Sequence, residues 1–311
     1  IMFAFNAQGD TFTLTKLFAL STFVNLVLDP LLIFGWYGFP ELGIAGAAIA
    51  TVISQLVFIT IAIYTLSRPT RNIRFRFRNL TLRLDSVKRV MAIGVPAALT
   101  QLINPVGTAA LTYLSGYAFN EPGAIAFSLG FRIEFFAYLP AVGFGFGAMA
   151  MIGQSIGAEN LDRAKQVLSL ALRYASGIAL ALGVLAMFFA HHIIGIFTDD
   201  AVVTGYALWY IRIVALSYAF LAVMMVEASA FQALGKSWPG FWILFLRFIA
   251  IALPLGYVLT QVFGMPIQAM WGAIAAGNVT AAIVGYVWIQ HKLKHFSFKE
   301  VEETTHVAVH T

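Results

Sequence analysis

The chain has 311 residues, 60% of them hydrophobic and 11% charged, with a formal net charge of +5 and no cysteine. Soluble globular domains run nearer about 45–50% apolar and about 25% charged, and a water-soluble fold of this length needs more polar side chains to cover its surface. This excludes a cytosolic enzyme, a nucleic-acid-binding module and a disulfide-stapled secreted domain, and the lack of cysteine removes any thiolate metal site.

The apolar excess comes in blocks. Crossing about 30 Å of hydrocarbon takes a helix of roughly 20 mostly apolar residues. Eight stretches reach that length: residues 12–34, 43–66, 91–118, 123–157, 167–190, 204–234, 239–263 and 267–290. The fourth and sixth are long enough to require tilt, kinks or protruding ends. Such runs exclude a transmembrane β-barrel, whose strands alternate in short segments. The expected fold class is all-α, a polytopic transmembrane helix bundle of eight spans.

The connections set the orientation. Residues 67–90, 158–166 and 235–238 and the tail from 291 fall on one side, with Arg68, Arg71, Arg74, Arg76, Arg78, Arg83, Lys88, Arg89, Arg163, Lys165, Lys236, Lys292, Lys294 and Lys299. The opposite connections, 35–42, 119–122, 191–203 and 264–266, hold no Lys or Arg but carry Glu41, Glu121, Asp199 and Asp200. The basic side is therefore expected in the cytoplasm, across a plasma or inner membrane. Trp36, Tyr37, Trp209 and Tyr210 fall near the outer boundary, and Trp238 and Trp288 near the inner one, as interfacial anchors do. The alternating segment Ile73-Arg74-Phe75-Arg76-Phe77-Arg78 reads as a linker lying on anionic headgroups, not as a nucleic-acid contact.

An internal repeat is visible. Residues 4–11 read AFNAQGDT and residues 230–237 read AFQALGKS, so Ala4, Phe5, Ala7 and Gly9 recur as Ala230, Phe231, Ala233 and Gly235. The same offset carries Gly46-Ala47 onto Gly272-Ala273. Six spans lie between the copies, which makes this a parallel six-helix repeat about an axis along the membrane normal. The expected organisation is a two-lobe 6+6 architecture. Residues 1–66 are the last two helices of an N-terminal lobe, 67–90 a basic inter-lobe linker, 91–292 a complete C-terminal lobe and 293–311 a cytoplasmic tail. On this reading about four further spans, on the order of 130–140 residues, precede Ile1 in the whole protein.

Several motifs resemble the MATE (multidrug and toxic compound extrusion) family: Gly9-Asp10-Thr11, Asn25-Leu26-Val27-Leu28-Asp29-Pro30-Leu31-Leu32-Ile33-Phe34-Gly35, and GIAGAAIATVISQ at 43–55. Gly94-Val95-Pro96, Gly153-Gln154-Ser155-Ile156-Gly157-Ala158 and Asp162-Arg163-Ala164 look like the start of that family's C-terminal lobe. The resemblance runs from the fifth of the family's twelve helices to the last. It implies a V-shaped, two-lobed, cation-coupled antiporter that exports organic, often cationic, compounds. In some members the coupling carboxylate lies on the first helix, in others on the seventh. The span matching the seventh, around Gln101, Asn104 and Pro105, has no Asp or Glu, so no cation site is carried onto it.

A charged side chain in hydrocarbon costs at least about 2.5–3.5 kcal/mol and should face a cavity or a partner. Asp29, Arg132, Glu134, Arg212, Glu227 and Arg247 lie within the spans. Glu227 and Arg247 lie ten residues either side of position 237, which puts them at one depth, about 12–15 Å from the turn. A salt bridge between them is expected, either permanent or opening during coupling. Glu134 lies near mid-membrane, facing a cavity or paired with Arg212, while Arg132 points to another side of the helix. Asp29, before Pro30, suits a turn or helix end.

Phe131, Phe135, Tyr138, Met224 and Met225 are candidates for an adaptable cavity wall, and Gln101 and Asn104 join the six charged residues as candidates for substrate or cation coupling. Gly143/Gly147 and Gly153/Gly157 have GxxxG spacing, which favours close helix packing over a phosphate loop. His191-His192 has no further ligand at metal spacing and reads as an interfacial pair. Pro96, Pro105, Pro140 and Pro254 free backbone carbonyls and can bend helices.

What the resemblance implies, taken with these features, is a secondary antiporter exchanging amphipathic or cationic organic compounds for H+ or Na+. It needs no cofactor or metal beyond that ion, meets small-molecule substrates and membrane lipids, binds no nucleic acid and acts as a monomer. A lipid-linked oligosaccharide flippase and a non-transporting scaffold are the alternatives. No nucleophile–base pair marks an enzyme.

Overall fold

The computed structural model describes residue 5, residues 10–67 and residues 84–296. Most of the basic linker, including Ile73–Arg78, lies outside the described residues, as do Ala4, Ala7, Gly9 and Lys299. The regular elements are helical: α1 (Thr11–Ile33), a 3-10 turn (Trp36–Gly38), α2 (Ile44–Leu66), α3 (Leu84–Gly157), α4 (Leu161–Gly195), α5 (Ala201–Val214), a 3-10 turn (Ala215–Ser217), α6 (Tyr218–Ala233), α7 (Trp238–Phe245), a π-helical segment (Leu246–Ala252), α8 (Leu253–Tyr257), a second π-helical segment (Val258–Val262) and α9 (Ile267–Lys294). Seven helical stretches among them are long and apolar enough to cross a membrane. The protein is an all-α, polytopic membrane bundle.

Seven stretches stand where eight spans are expected, because 91–118 and 123–157 run together as α3. The helix is broken inside, however. Asn120 adopts φ 58°, which Asn tolerates better than most residues, and Phe119 is also non-helical. The chain doubles back there, since Gly123 sits against the carbonyl of Ser115 and the side chain of Phe119. A straight helix would hold residues 115 and 123 about 12 Å apart. The sixth expected span is also interrupted, by the tighter turn at Ala215–Ser217.

The chain divides into two compact units, Ile1–Arg83 and Leu84–Thr311. In the first, Asp10 caps α1 by accepting from the Thr13 N–H at 3.1 Å. α1 and α2 form a hairpin closed by Leu42 N–H to the Leu32 carbonyl (3.0 Å) and Ser21 Oγ to the Ser54 carbonyl (2.9 Å). Phe18 stacks on Phe58 at 4.8 Å, and Phe5, Leu14, Leu17, Ala62 and Leu66 form a small core. The turn needs the left-handed backbone of Gly35 (φ 69°), and Gly46 lets α2 touch the carbonyl of Leu32.

The second unit is packed small-inside, large-outside. On α4 the buried residues include Ala171, Ala175, Ala179, Gly183, Ala186 and Ala190, while Leu170, Tyr174, Ile178, Leu185 and Phe188 are exposed. Without a hydrophobic drive between helices in lipid, small residues let the backbones approach. The 201–233 rod runs through the centre, with 67% of its most apolar window buried against 22% for α4. Two expectations change here. Among the described residues, a Cβ added at Gly143, Gly147, Gly153 or Gly157 would meet nothing within 4 Å, so no close helix approach depends on the GxxxG pairs; Gly145 packs on Ser229 and Met225 instead. Of the repeat-matched glycines, Gly46 is closely packed while Gly272 is not, because the close approaches of α9 fall at Gly277 and Gly285.

Substituting Gly46 by Val drives a side chain into backbone that cannot rotate away, and should cost about 1–3 kcal/mol. Substituting Gly153 by Ala, in open space on a helix, should be neutral or slightly stabilising. Thermal unfolding in detergent measures both, and equal midpoints would contradict the packing described.

Candidate functional site

The two limbs of α3 and the first π-helical segment line an open cavity of about 590 Å³. Gln101, Asn104, Pro105, Thr108, Ala109 and Thr112 line it from the first limb, Phe131, Glu134, Phe135 and Tyr138 from the second, and Arg247 from the π segment. The spacing of three, four and seven residues on each limb puts these side chains on one helix face. Pro105 has no N–H to give the carbonyl of Gln101. The hydroxyls of Thr108 and Thr112 donate back to the carbonyls of Asn104 and Thr108, at 2.8 and 2.9 Å. Asn104 is hydrogen-bonded to the Tyr138 hydroxyl, and Phe135 stacks on Tyr138 at 5.7 Å.

A buried ion pair stands in the wall. Arg247 Nη2 donates to Glu134 Oε1 at 2.7 Å, with the two residues 3% and 2% exposed. The Tyr210 hydroxyl donates to Glu134 Oε2, also at 2.7 Å, so both carboxylate oxygens are engaged. Charge-assisted bonds this short are what offsets the cost of burying the charges. Tyr210 is held by its neighbours: Gly130 leaves room for its ring, and Phe127 (6.0 Å) and Trp271 (5.1 Å) meet it edge-on. The Arg247 guanidinium lies 4.4 Å from the Phe248 ring. Pro254 has no N–H for the carbonyl of Ala250, and the backbone before it widens into the π segment that carries Arg247.

The expected Glu227–Arg247 bridge does not form. Matched depth does not ensure matched direction: the π segment turns Arg247 toward α3, while Glu227 faces Gly285 of α9. Glu227 is 0% exposed, and neither of its oxygens has a hydrogen-bond partner. Arg212 does not meet Glu134 either. It is two residues beyond Tyr210 on α5, exposed, and lies over the Trp209 ring at 5.6 Å. Arg132 is exposed, on a different face from Glu134.

Met224 and Met225 are buried in the core and do not line the cavity, because α6 is surrounded by other helices. Asp29 lies inside the last turns of α1, which continues through Pro30 to Ile33; Asp29 Oδ1 and Asn25 Nδ2 are buried without a partner. Tyr210 is no interfacial anchor, since it is fully buried, whereas Trp36, Tyr37, Trp209, Trp238 and Trp288 are exposed. His191 and His192 are exposed, and no cluster of three or more metal-ligating side chains occurs among the described residues. Sequence reasoning missed Tyr210 as a partner of Glu134, and also Asn278, whose Nδ2 donates to Ser217 Oγ at 2.7 Å in the core. A Tyr or Asn at helical spacing among apolar residues was the signal available for both.

Substituting Glu134 by Gln leaves Arg247 charged and buried, and should cost about 3–5 kcal/mol. Tyr210→Phe removes one hydrogen bond and should cost about 1–3 kcal/mol. Combining Glu134→Leu with Arg247→Leu should cost less than the sum of the two single changes, as a double-mutant cycle on unfolding would record. Additive costs would mean that the pair does not interact.

The chain matches the MatE family over residues 96–258. It is 30% identical over 279 residues to an FAD transporter of Shewanella oneidensis, covering 90% of this chain and 60% of that protein. It is 26% identical over 280 residues to the probable multidrug resistance protein NorM of Thermotoga maritima, covering 88% of this chain and 60% of the relative. The chain thus spans about 60% of the length of these curated relatives. Its fold matches a MATE protein crystallised in a straight conformation with a TM-score of 0.86 at 23% identity, over 95% of this chain and 65% of the other. The same figures hold for an outward-facing multidrug resistance MATE transporter of the MOP superfamily. The chain belongs to the MATE family, whose members are membrane transporters rather than enzymes.

Proposed function

We propose that the protein works as a secondary active antiporter, exporting amphipathic small organic compounds, cationic drugs among them, in exchange for H+ or Na+ by alternating access. The observation that carries the reading is the cavity of about 590 Å³ with the buried Glu134–Arg247 pair in its wall. Its volume is in the range of small-molecule sites. Phe131, Phe135 and Tyr138 supply aromatic surface, and Gln101 and Asn104 supply polar anchors. Because Glu134 is shared between a guanidinium and a phenol, a proton or a cationic substrate arriving there competes with Arg247. Differential affinity of this kind is what moves a two-state transporter. On this reading α3 counts as two crossings and the chain makes eight. Residues 91–292 form one six-helix lobe, α1 and α2 belong to the other, and the basic connections and the tail from 293 face the cytoplasm.

The NorM relative, named as a probable multidrug resistance protein, supports drug export. A second reading has support of its own. A relative is named as an FAD transporter, and a guanidinium in an aromatic-walled cavity suits an anionic aromatic substrate.

Proteoliposomes bearing the protein should release preloaded ethidium when an inward H+ or Na+ gradient is imposed. Glu134→Gln should slow release at least about tenfold. If neither gradient changes ethidium release, antiport of cationic compounds is wrong, and gradient-driven movement of FAD alone would select the second reading.

A further inference from the structure

We infer that Glu227 is a proton-carrying site and that it holds its proton in the conformation seen here; this rests on the antiport reading above. Glu227 sits on α6, the central rod, and faces α9 at Gly285, where even a Cβ would collide with the carboxyl group and would also meet Ile243 of α7. It is 0% exposed and both oxygens lack hydrogen-bond partners.

The charged and titratable groups on the helices packed against α6 do not relieve it. On α3, among the described side chains, Glu134 is joined to Arg247 and Tyr210, Tyr138 lines the cavity, and Tyr113, Tyr117, Glu121 and Arg132 are exposed. On α4, Asp162, Arg163, Lys165, Arg173, Tyr174, His191 and His192 are exposed; α7 has none; on α9, Tyr286, His291 and Lys294 are exposed. Lys292 lies seven residues beyond Gly285, about 10 Å along α9 by helical rise, and Lys236 lies past the end of α6. An ionised carboxylate without a counter-charge or donor is too costly to bury, so the neutral acid is the form that fits.

The position also links the proton to the cavity. Ile243, which borders Gly285 as Glu227 does, is one helical turn from Arg247 on the same rod. Gly277 of α9 lies against the Arg247 carbonyl, and Gly285 against Glu227. Loss of the proton would leave a charge in a sealed site, relieved by parting α6, α7 and α9. The π segment, with its poorer hydrogen-bond ladder, is where that rod can yield, and Arg247 moves with it. The two sites are then coupled through one element, and each biases the other.

Infrared spectra of the purified protein at neutral pH test the assignment. The wild type should show the carbonyl band of a protonated carboxylic acid. Glu227→Gln, close in shape to the neutral acid, should fold and lose the band, and Glu134→Gln should keep it. Should the Gln variant fail to fold, Glu227→Asp should shift the band. Proton release on ethidium binding, read with a pH dye, should be lost in Glu227→Gln while ethidium still binds, with an affinity that no longer varies with pH. Absence of the band in the wild type, its persistence unshifted in the variants, or an unchanged pH dependence would overturn the proposal. If wild-type vesicles move neither ethidium nor FAD under either gradient, the antiport reading fails instead, whatever the band shows.

Discussion

A charge cannot be left alone in hydrocarbon, and the second unit is organised around that constraint. Glu134 on α3 is met from two directions, by Arg247 of the π segment and by Tyr210 of α5. Two bonds of 2.7 Å therefore tie three rods at one point. The neighbouring features serve the same point. Gly130 makes room for the Tyr210 ring, Phe127 and Trp271 hold that ring edge-on, and the widened backbone before Pro254 aims Arg247 at the carboxylate. Such pairs contribute less to net stability than to a defined arrangement, because their desolvation cancels most of the attraction.

The two acids buried among the described residues of this unit are treated differently. Glu134 has a cation and a phenol, and it stands in the wall of a cavity. Glu227 has neither, and it faces Gly285 in the packed centre. Two carboxyl groups in contrasting surroundings can divide two roles between them. On the proposed reading, the division would set a charged group beside the substrate space and an unpartnered one between helices that part.

Much of the fold was legible because the bilayer imposes a simple rule of length. The turn at 119–122 was visible as a polar break between apolar runs, and the structure bends at Phe119 and Asn120. Exposed Trp and Tyr at the span ends followed from their amphipathic rings, apart from Tyr210, whose position nine residues into α5 is already deep. The cavity was legible in part. Residues at helical spacing on the two limbs of α3, among them Asn104, Phe131, Glu134, Phe135 and Tyr138, do share it. Met224 and Met225, equally suited by chemistry, do not, because their helix is enclosed on all sides.

What the sequence alone determined is how many apolar stretches there are, where they break and which residues carry a charge that lipid will not tolerate. Those properties depend on composition and on distance along the chain. Only the tertiary structure decided which charge meets which. Glu227 and Arg247 lie at equal distances from their turn, and counting residues therefore pairs them. A π-helical segment rotates one away from the other, and the partner of Arg247 comes from 113 residues earlier in the chain. Direction around a helix axis, set by local backbone winding and by which glycines admit a neighbour, is not contained in residue counts.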